Sequence, residues 1–376
     1  MSLTDPRKFS FIMIGRVISA GLQALFYLIF AAILDPQSYG NLSYLIALAG
    51  TFSIISRFGL NHSVTVYQAK NDSSLSNSIN VLAVITISAA SIVLLVFDIF
   101  AAVLCLGMSL FIMNIHNLLG LKEYKKYMII DVIKGILIIS IPIGFYFILE
   151  IPGILVGMAI SYLLCSFHFF RTLSFKDKIL QNIRNNSKVL IHNFGVDFST
   201  HAPKFVDKLV IFPILGLTSL GIYQLNMQIL FGLEMLPIAL HSFLLSEESS
   251  GAKHNKIIYL IILASVIAAM LTIILSPFFI EELFPKYSEG IPSLQILIIS
   301  IIPLTISAIF NAKLQAKEST VVGYSAIVRI GSLLILLAIL GYFYDLIGLS
   351  LAVLLSVVFN TIFLYIMYTK ISVSKK

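Results

Sequence analysis

The chain has 376 residues, of which 59% are apolar and only 11% charged, and it carries a formal net charge of +7. Soluble domains run at about 45–50% apolar and about 25% charged residues, so this composition excludes an ordinary water-soluble protein and makes lipid the solvent for most of the chain. The two cysteines, Cys105 and Cys165, both lie in apolar runs, which argues against a disulfide framework or a thiolate metal site.

A spanning helix needs about 20 mostly apolar residues. In chain order, twelve segments qualify: 9–34, 41–60, 77–96, 99–119, 128–148, 151–170, 189–215, 219–244, 257–280, 290–312, 320–343 and 347–369. The first run is too long for the apolar core of a signal peptide and lacks a small-residue cleavage site after it, so it is expected to remain as a helix. Connections as short as "DPQSYG" and "EIPG" predict antiparallel neighbours. The seventh and eighth segments are the most polar.

Loop charge sets the expected orientation. With a cytoplasmic N-terminus, eighteen Lys and Arg fall in inside segments and one, Lys286, falls outside. That asymmetry predicts a multi-pass protein of the cytoplasmic (inner) membrane with both termini in the cytoplasm. The basic residues then face an anionic leaflet, and no nucleic-acid partner is expected.

The sequence also repeats. Residues 33–40 read "ILDPQSYG" and residues 214–221 read "ILGLTSLG", 181 positions apart. Further along, the offset is 195: Lys122 and Glu123 map to Lys317 and Glu318, Lys134 to Arg329, Gly153 to Gly348 and Ser161 to Ser356. Most of the extra residues are supplied by the loop "EELFPKYSEG". Six helices per repeat give both halves the same orientation, related by an axis along the membrane normal. The prediction is an all-α integral membrane protein of about twelve transmembrane helices in two pseudo-symmetric six-helix lobes around a central cleft. The lobes are expected at 1–170 and 189–376, joined by a basic cytoplasmic linker at 171–188.

Polar residues inside a membrane are costly, so their placement is informative. In segment seven, "NFGVDFSTHAPKFVDKLVIF", Asp197, His201, Lys204 and Lys208 are spaced four, three and four apart, as on one helical face. Asn193, Thr200 and Asp207 fall on the same side. Subtracting 181 sends Asp197 to Arg16, Thr200 to Ser19, Lys204 to Gln23 and Lys208 to Tyr27, so segment one carries the matching stripe. Arg16 and Asp197 are placed to pair across the symmetry axis. A purely structural role as interhelical glue is the competing explanation.

Among other intramembrane charges, Asp131 and Lys134 are three apart and expected to satisfy each other. Arg57 sits near a helix end, where snorkelling would serve it. Glu234 lies among Gln224, Asn226 and Gln228 and is a further cleft candidate. With Arg329 counted, six basic intramembrane residues stand against four acidic ones, which favours an anionic ligand. Pro203 is expected to kink segment seven. No Walker A, HExxH or Gly-rich dinucleotide sequence occurs, so no cofactor, metal or ATP hydrolysis is expected, and the outside loops are short for an enzyme.

The stretch "FAAILDPQSYGNLSYLIALAGTFSIISRFGLNHSV" resembles the first two helices of polysaccharide biosynthesis proteins of the O-antigen flippase type, in the multidrug/oligosaccharidyl-lipid/polysaccharide exporter superfamily. "ELFPKYSEGIPSLQILIISIIPL" and "DLIGLSLAVLLSVVFNTIFLYI" resemble later helices of the same family. The likeness extends over nearly the whole chain as pattern and a few Gly, Pro and Tyr positions, although family members are usually longer. It implies a flippase, not an enzyme, that carries a polyprenyl-pyrophosphate-linked oligosaccharide to the outer leaflet by alternating access, alongside glycosyltransferases and a polysaccharide polymerase. On this reading Arg16, Gln23, Tyr27, Lys204 and Lys208 bind substrate, while Asp197, His201, Asp207 and Glu234 couple an ion. The rivals are a cation-coupled multidrug antiporter on the same fold and a membrane-embedded glycosyl- or acyltransferase or polymerase.

Overall fold

The computed structural model describes residues 6–174, 179–238, 240–241, 244, 255–316 and 321–373. Every regular element among them is helical. The helices are α1 (Pro6–Ile33), α2 (Pro36–Arg57), α3 (Leu60–Ala69), α4 (Ser73–Leu94), α5 (Ile99–Gly120), α6 (Tyr124–Leu164), α7 (Phe167–Phe170), α8 (Ile179–Asn185), α9 (Ser187–His201), α10 (Val206–Leu233), α11 (Asn255–Leu283), α12 (Ile291–Ile298), α13 (Ile301–Ala316) and α14 (Val321–Val373). Lys176, Lys178, Lys253, Lys317, Glu318, Lys375 and Lys376, used in the charge and repeat arguments, lie outside the described residues.

Among the described residues, eight helical stretches are long and apolar enough to cross a membrane, and the bent pair α2–α3 makes a ninth. Three of the nine are interrupted by one left-handed residue: α6 at Glu150 (φ 55°), α10 at Gly216 (φ 78°) and α14 at Asp345 (φ 48°). Nine elements with three such breaks supply twelve legs, the number that the apolar runs predict.

The repeat is written into the backbone. Glu150 and Asp345, 195 positions apart, are both non-glycine residues in the left-handed region. Three residues later in each hairpin comes a glycine that the facing helix nearly touches. A Cβ on Gly153 would strike the carbonyl of Phe145, and one on Gly348 would strike the carbonyl of Leu340, again 195 apart. Only glycine admits so close an approach of two backbones, which explains why the repeat keeps a glycine at both places.

The chain packs as two compact units, residues 1–27 with 44–206 and residues 28–43 with 207–376. The first legs of both repeats are thus divided between units, and 187–206 pack with the first. In that unit, Leu60, Val64, Leu75, Ile79, Ile87, Leu110, Met113 and Phe169 form a buried cluster. Lipid is as apolar as these side chains, so close van der Waals packing and interhelical hydrogen bonds hold the helices together. Asn80 and Asn117 show the second contribution, exchanging bonds of 3.0 and 2.9 Å between α4 and α5.

In the second unit, Gly40 and Gly221 meet reciprocally. A Cβ on Gly40 would collide with the Leu217 carbonyl and come within 2.9 Å of Gly221 N; one on Gly221 would collide with the Pro36 carbonyl and come within 3.0 Å of Gly40 N. Tyr39 is fully buried beside them, edge-on to Tyr287, whose hydroxyl donates to the Leu34 carbonyl at 3.3 Å.

One expectation is corrected. Segment two does not end near residue 60: Phe58 (φ 47°) and Gly59 (φ 69°) bend the path by 47°, and α3 continues as a helix. Segment seven breaks at Pro203, where a kink is expected. A 3₁₀ turn at Ala202–Lys204, where Pro203 offers no N–H donor, separates α9 from α10.

Candidate functional site

The α2–α3 bend creates a buried polar centre in the first unit. With no side chain at Gly59, the backbone of α9 at Asn193–Phe194 lies directly on it, and the Phe58 and Phe194 rings stack at 4.6 Å. Asn193 Nδ2 donates to Ser63 Oγ at 2.7 Å. This docking carries Asp197 into the elbow of the bend, where its side chain is fully buried.

Four side chains converge on that carboxylate. Arg57 reaches Oδ2 at 3.5 Å from the end of α2. From α3, Asn61 Nδ2 donates to Oδ1 at 3.0 Å and His62 Nε2 stands 3.2 Å from the same oxygen. His201, one turn on in α9, brings its Nε2 to 3.7 Å. Arg57 is 2% exposed and its Nε also donates to the Ser53 carbonyl, so it does not snorkel to water as its place near a helix end led us to expect. A buried carboxylate needs such pairing, because isolated burial of a charge is prohibitive.

Arg16 is not the partner of Asp197. Its side chain is on the exposed part of α1, and Nε donates to the Tyr127 hydroxyl at 3.1 Å. One turn on, Ser19 bridges Asp131 (3.0 Å) and Lys134 (2.7 Å), which themselves pair at 3.3 Å as their spacing predicts. Gln23 and Tyr27 are half-buried and hydrogen-bond each other one turn apart. Lys204 is exposed in the 3₁₀ turn. The Phe205 ring lies against Gly50. The Thr200 side chain falls outside the described part.

The second unit holds the remaining candidates. Lys208 is buried and its Nζ clasps both oxygens of Asp207, at 3.0 and 3.1 Å, while Tyr223 donates to Asp207 Oδ2 at 3.0 Å. Asp207 and Lys208 thus neutralise each other. Glu234 is half-buried where α10 ends. Asn226, near it in sequence, is used structurally, donating to the Gly290 carbonyl and to Ser293 Oγ at 3.2 and 2.8 Å. Among the described residues, no group of three metal-ligating side chains is placed to hold a metal ion.

Sequence reasoning missed Asn61 and His62 and undervalued Arg57. The signal was present in "SRFGLNHSV", where Phe-Gly marks a helix break and the polar residues flank it.

Comparison with known proteins places the architecture. A family model described as polysaccharide biosynthesis protein matches residues 6–139. Among solved structures, the lipid II flippase MurJ in an inward closed conformation superposes with a TM-score of 0.79 at 17% identity, covering 95% of this chain and 87% of that one. The fold is that of the MOP superfamily transporters. A MOP superfamily transporter from Pyrococcus furiosus gives a TM-score of 0.63 at 15% identity, covering 98% and 96% of the two chains. An inward-facing multidrug resistance MATE family transporter gives 0.65 at 14% identity, covering 94% and 100%. No curated protein sequence matches the chain. Two six-helix lobes, read from the repeat, are the architecture this fold provides.

Proposed function

We propose that the protein is a flippase that carries a polyprenyl-pyrophosphate-linked oligosaccharide from the cytoplasmic to the outer leaflet of the inner membrane. The observation that carries this reading is the polysaccharide biosynthesis match over residues 6–139, joined to a fold likeness with a lipid II flippase along 95% of the chain. Alternating access requires no covalent chemistry, so no catalytic residue is assigned. Arg16 and Lys204 are the cations suited to the pyrophosphate, since both are exposed on the first unit. Gln23 and Tyr27 offer hydrogen bonds to sugar hydroxyls. Lys208, held by Asp207, would take part only if that pair opens. Glycosyltransferases and a polymerase are the natural partners of such a step.

A pyrophosphate loses its hydration on entering a site and needs fixed charges in return. Arg16→Glu and Lys204→Glu should therefore stop transport of a fluorescent undecaprenyl-pyrophosphate saccharide in vesicles, while Lys204→Arg retains part of it. Full transport by both Glu variants at matched expression would refute the assignment.

A second reading is a cation-coupled multidrug antiporter on the same fold. It is favoured by the buried carboxylates Asp197 and Asp207 and by the likeness to a multidrug transporter. Uptake of a lipophilic cation in the same vesicles, with no saccharide transport, would select it.

A further inference from the structure

The geometry points to a single-proton site at Asp197, in which His62 and His201 are alternative carriers of one proton and Arg57 fixes the carboxylate that attracts it. The inference deepens the transporter reading by naming its coupling ion, and it rests on that reading for its purpose though not for its detection.

The identity of the ion follows from the atoms that face Asp197. A hard metal cation asks for about six oxygen ligands. Here the approaching groups are nitrogens: the Asn61 amide, the Arg57 guanidinium and two imidazole Nε2 atoms. A guanidinium 3.5 Å from the carboxylate would also repel a second fixed cation, whereas a proton resides on the imidazole itself. Among the described residues, Asn61 Oδ1 and Asp197 Oδ2 are buried and accept no hydrogen bond, and His62 Nε2 makes none. The cluster therefore has two spare acceptor atoms, while the His62 imidazole faces the other carboxylate oxygen, Oδ1, at 3.2 Å.

The number of protons follows from charge. Arg57 and Asp197 cancel, so one imidazolium brings the cluster to +1. Both imidazoles address the same oxygen, and a second imidazolium would set three cations around one carboxylate in a medium of low dielectric. Other charges and titratable groups nearby add to this limit: His116 on α5, edge-on to His62 at 5.3 Å, Lys204 in the turn after α9, and Arg16 on α1, whose charge reaches His116. Water reaches the cluster at the His201 side chain, which is 41% exposed, whereas His62 Nε2 and Asp197 are sealed. The step is a simple protonation: an imidazole lone pair takes a proton from water and later returns it to water.

The chain contains no tryptophan, so an indole introduced at Phe198, beside Asp197 and one turn before His201, reports without background. Full-length Phe198→Trp in phosphatidylethanolamine/phosphatidylglycerol nanodiscs should show a pH-dependent fluorescence transition that takes up one proton. Adding His62→Gln and His201→Gln together should abolish it while leaving the Arg57–Asp197 pair intact, and His192→Gln should leave it in place. Asp197→Asn should weaken proton binding tenfold or more, lowering the midpoint by about one unit or more. Absence of the transition in Phe198→Trp, its persistence in the double histidine variant, or an unmoved midpoint in Asp197→Asn would each overturn the proposal. No transported lipid is present in this experiment, so it stands or falls separately from the saccharide transport test.

Discussion

Gly40 and Gly221, 181 positions apart, each occupy the space in which the other would need a side chain. The contact is reciprocal: Gly40 meets Leu217 and Gly221 meets Pro36, themselves 181 apart, as at a two-fold axis where one patch faces its own copy. A methyl group at either position would push against a peptide carbonyl, which cannot rotate away as a side chain would.

Gly40→Ala and Gly221→Ala should each destabilise the second unit by about 1–3 kcal/mol, the usual cost of overpacking. Gly144→Ala, where an added Cβ meets nothing within 4 Å, should be harmless or slightly stabilising. Size-exclusion profiles after graded heating in detergent read the difference. Equal heat resistance of all three variants would contradict the reciprocal contact.

Arg57→Ala should cost about 3–5 kcal/mol, because it strands the buried Asp197 carboxylate. Removing both members, as Arg57→Leu with Asp197→Leu, should recover part of that loss. Lys126→Ala, which breaks an exposed pair with Glu123, should cost about 0–1 kcal/mol. A thiol-reactive dye is a suitable reporter, since Cys105 and Cys165 are both buried and become reactive only on unfolding. An Arg57→Ala protein that melts with wild type would show that this pair holds nothing together.

Asp35 lies in the connection between α1 and α2, where its Oδ1 accepts the Ser38 N–H at 3.0 Å and so caps α2. Hydrogen bonds from the Ser38 backbone and hydroxyl hold its carboxyl below the ordinary value. A group depressed in this way adds stability above its unfolded value, near pH 4, and loses it as pH falls through the lower folded value. Asp35→Ala should destabilise by about 0.5–2 kcal/mol at neutral pH, whereas Asp35→Asn should keep the cap but lose the acid-dependent part. Melting curves at pH 7 and pH 3 separate the two variants. A wild-type acid response in Asp35→Asn would place the titrating group elsewhere.

Orientation rests on the charge asymmetry. In a background lacking Cys105 and Cys165, a cysteine at Ser288 should react with an impermeant reagent added to intact cells, and one at Ser187 should not. Labelling at Ser187 would invert the topology.

Periodicity and length made the twelve legs legible, because a membrane leaves a chain few ways to satisfy its backbone groups. The repeat was legible through glycines, whose reason became visible only in the helix contacts at Gly40, Gly153, Gly221 and Gly348. The polar centre was half legible. Asp197 and His201 stand out in an apolar context, and Asp131 with Lys134 read correctly as a local pair. Arg57, Asn61 and His62 did not, because their meeting with Asp197 spans more than 130 positions and depends on the Phe58–Gly59 elbow. The regular four-three-four spacing from Asp197 to Lys208 was misleading for a similar reason: a 3₁₀ turn at Pro203 interrupts the periodicity that the spacing assumes.

The division of the first legs has a consequence for biosynthesis. Residues 28–43 complete the second unit, and the glycine that receives Gly40 is made 181 residues later. At about 5–20 residues per second, that delay is about 10–40 s. Throughout it, the buried face of Tyr39 and Gly40 must wait in the bilayer or translocon for a partner still on the ribosome. A stop codon anywhere before residue 221 would leave that face permanently without its partner, a feature by which membrane quality control could recognise an unfinished chain.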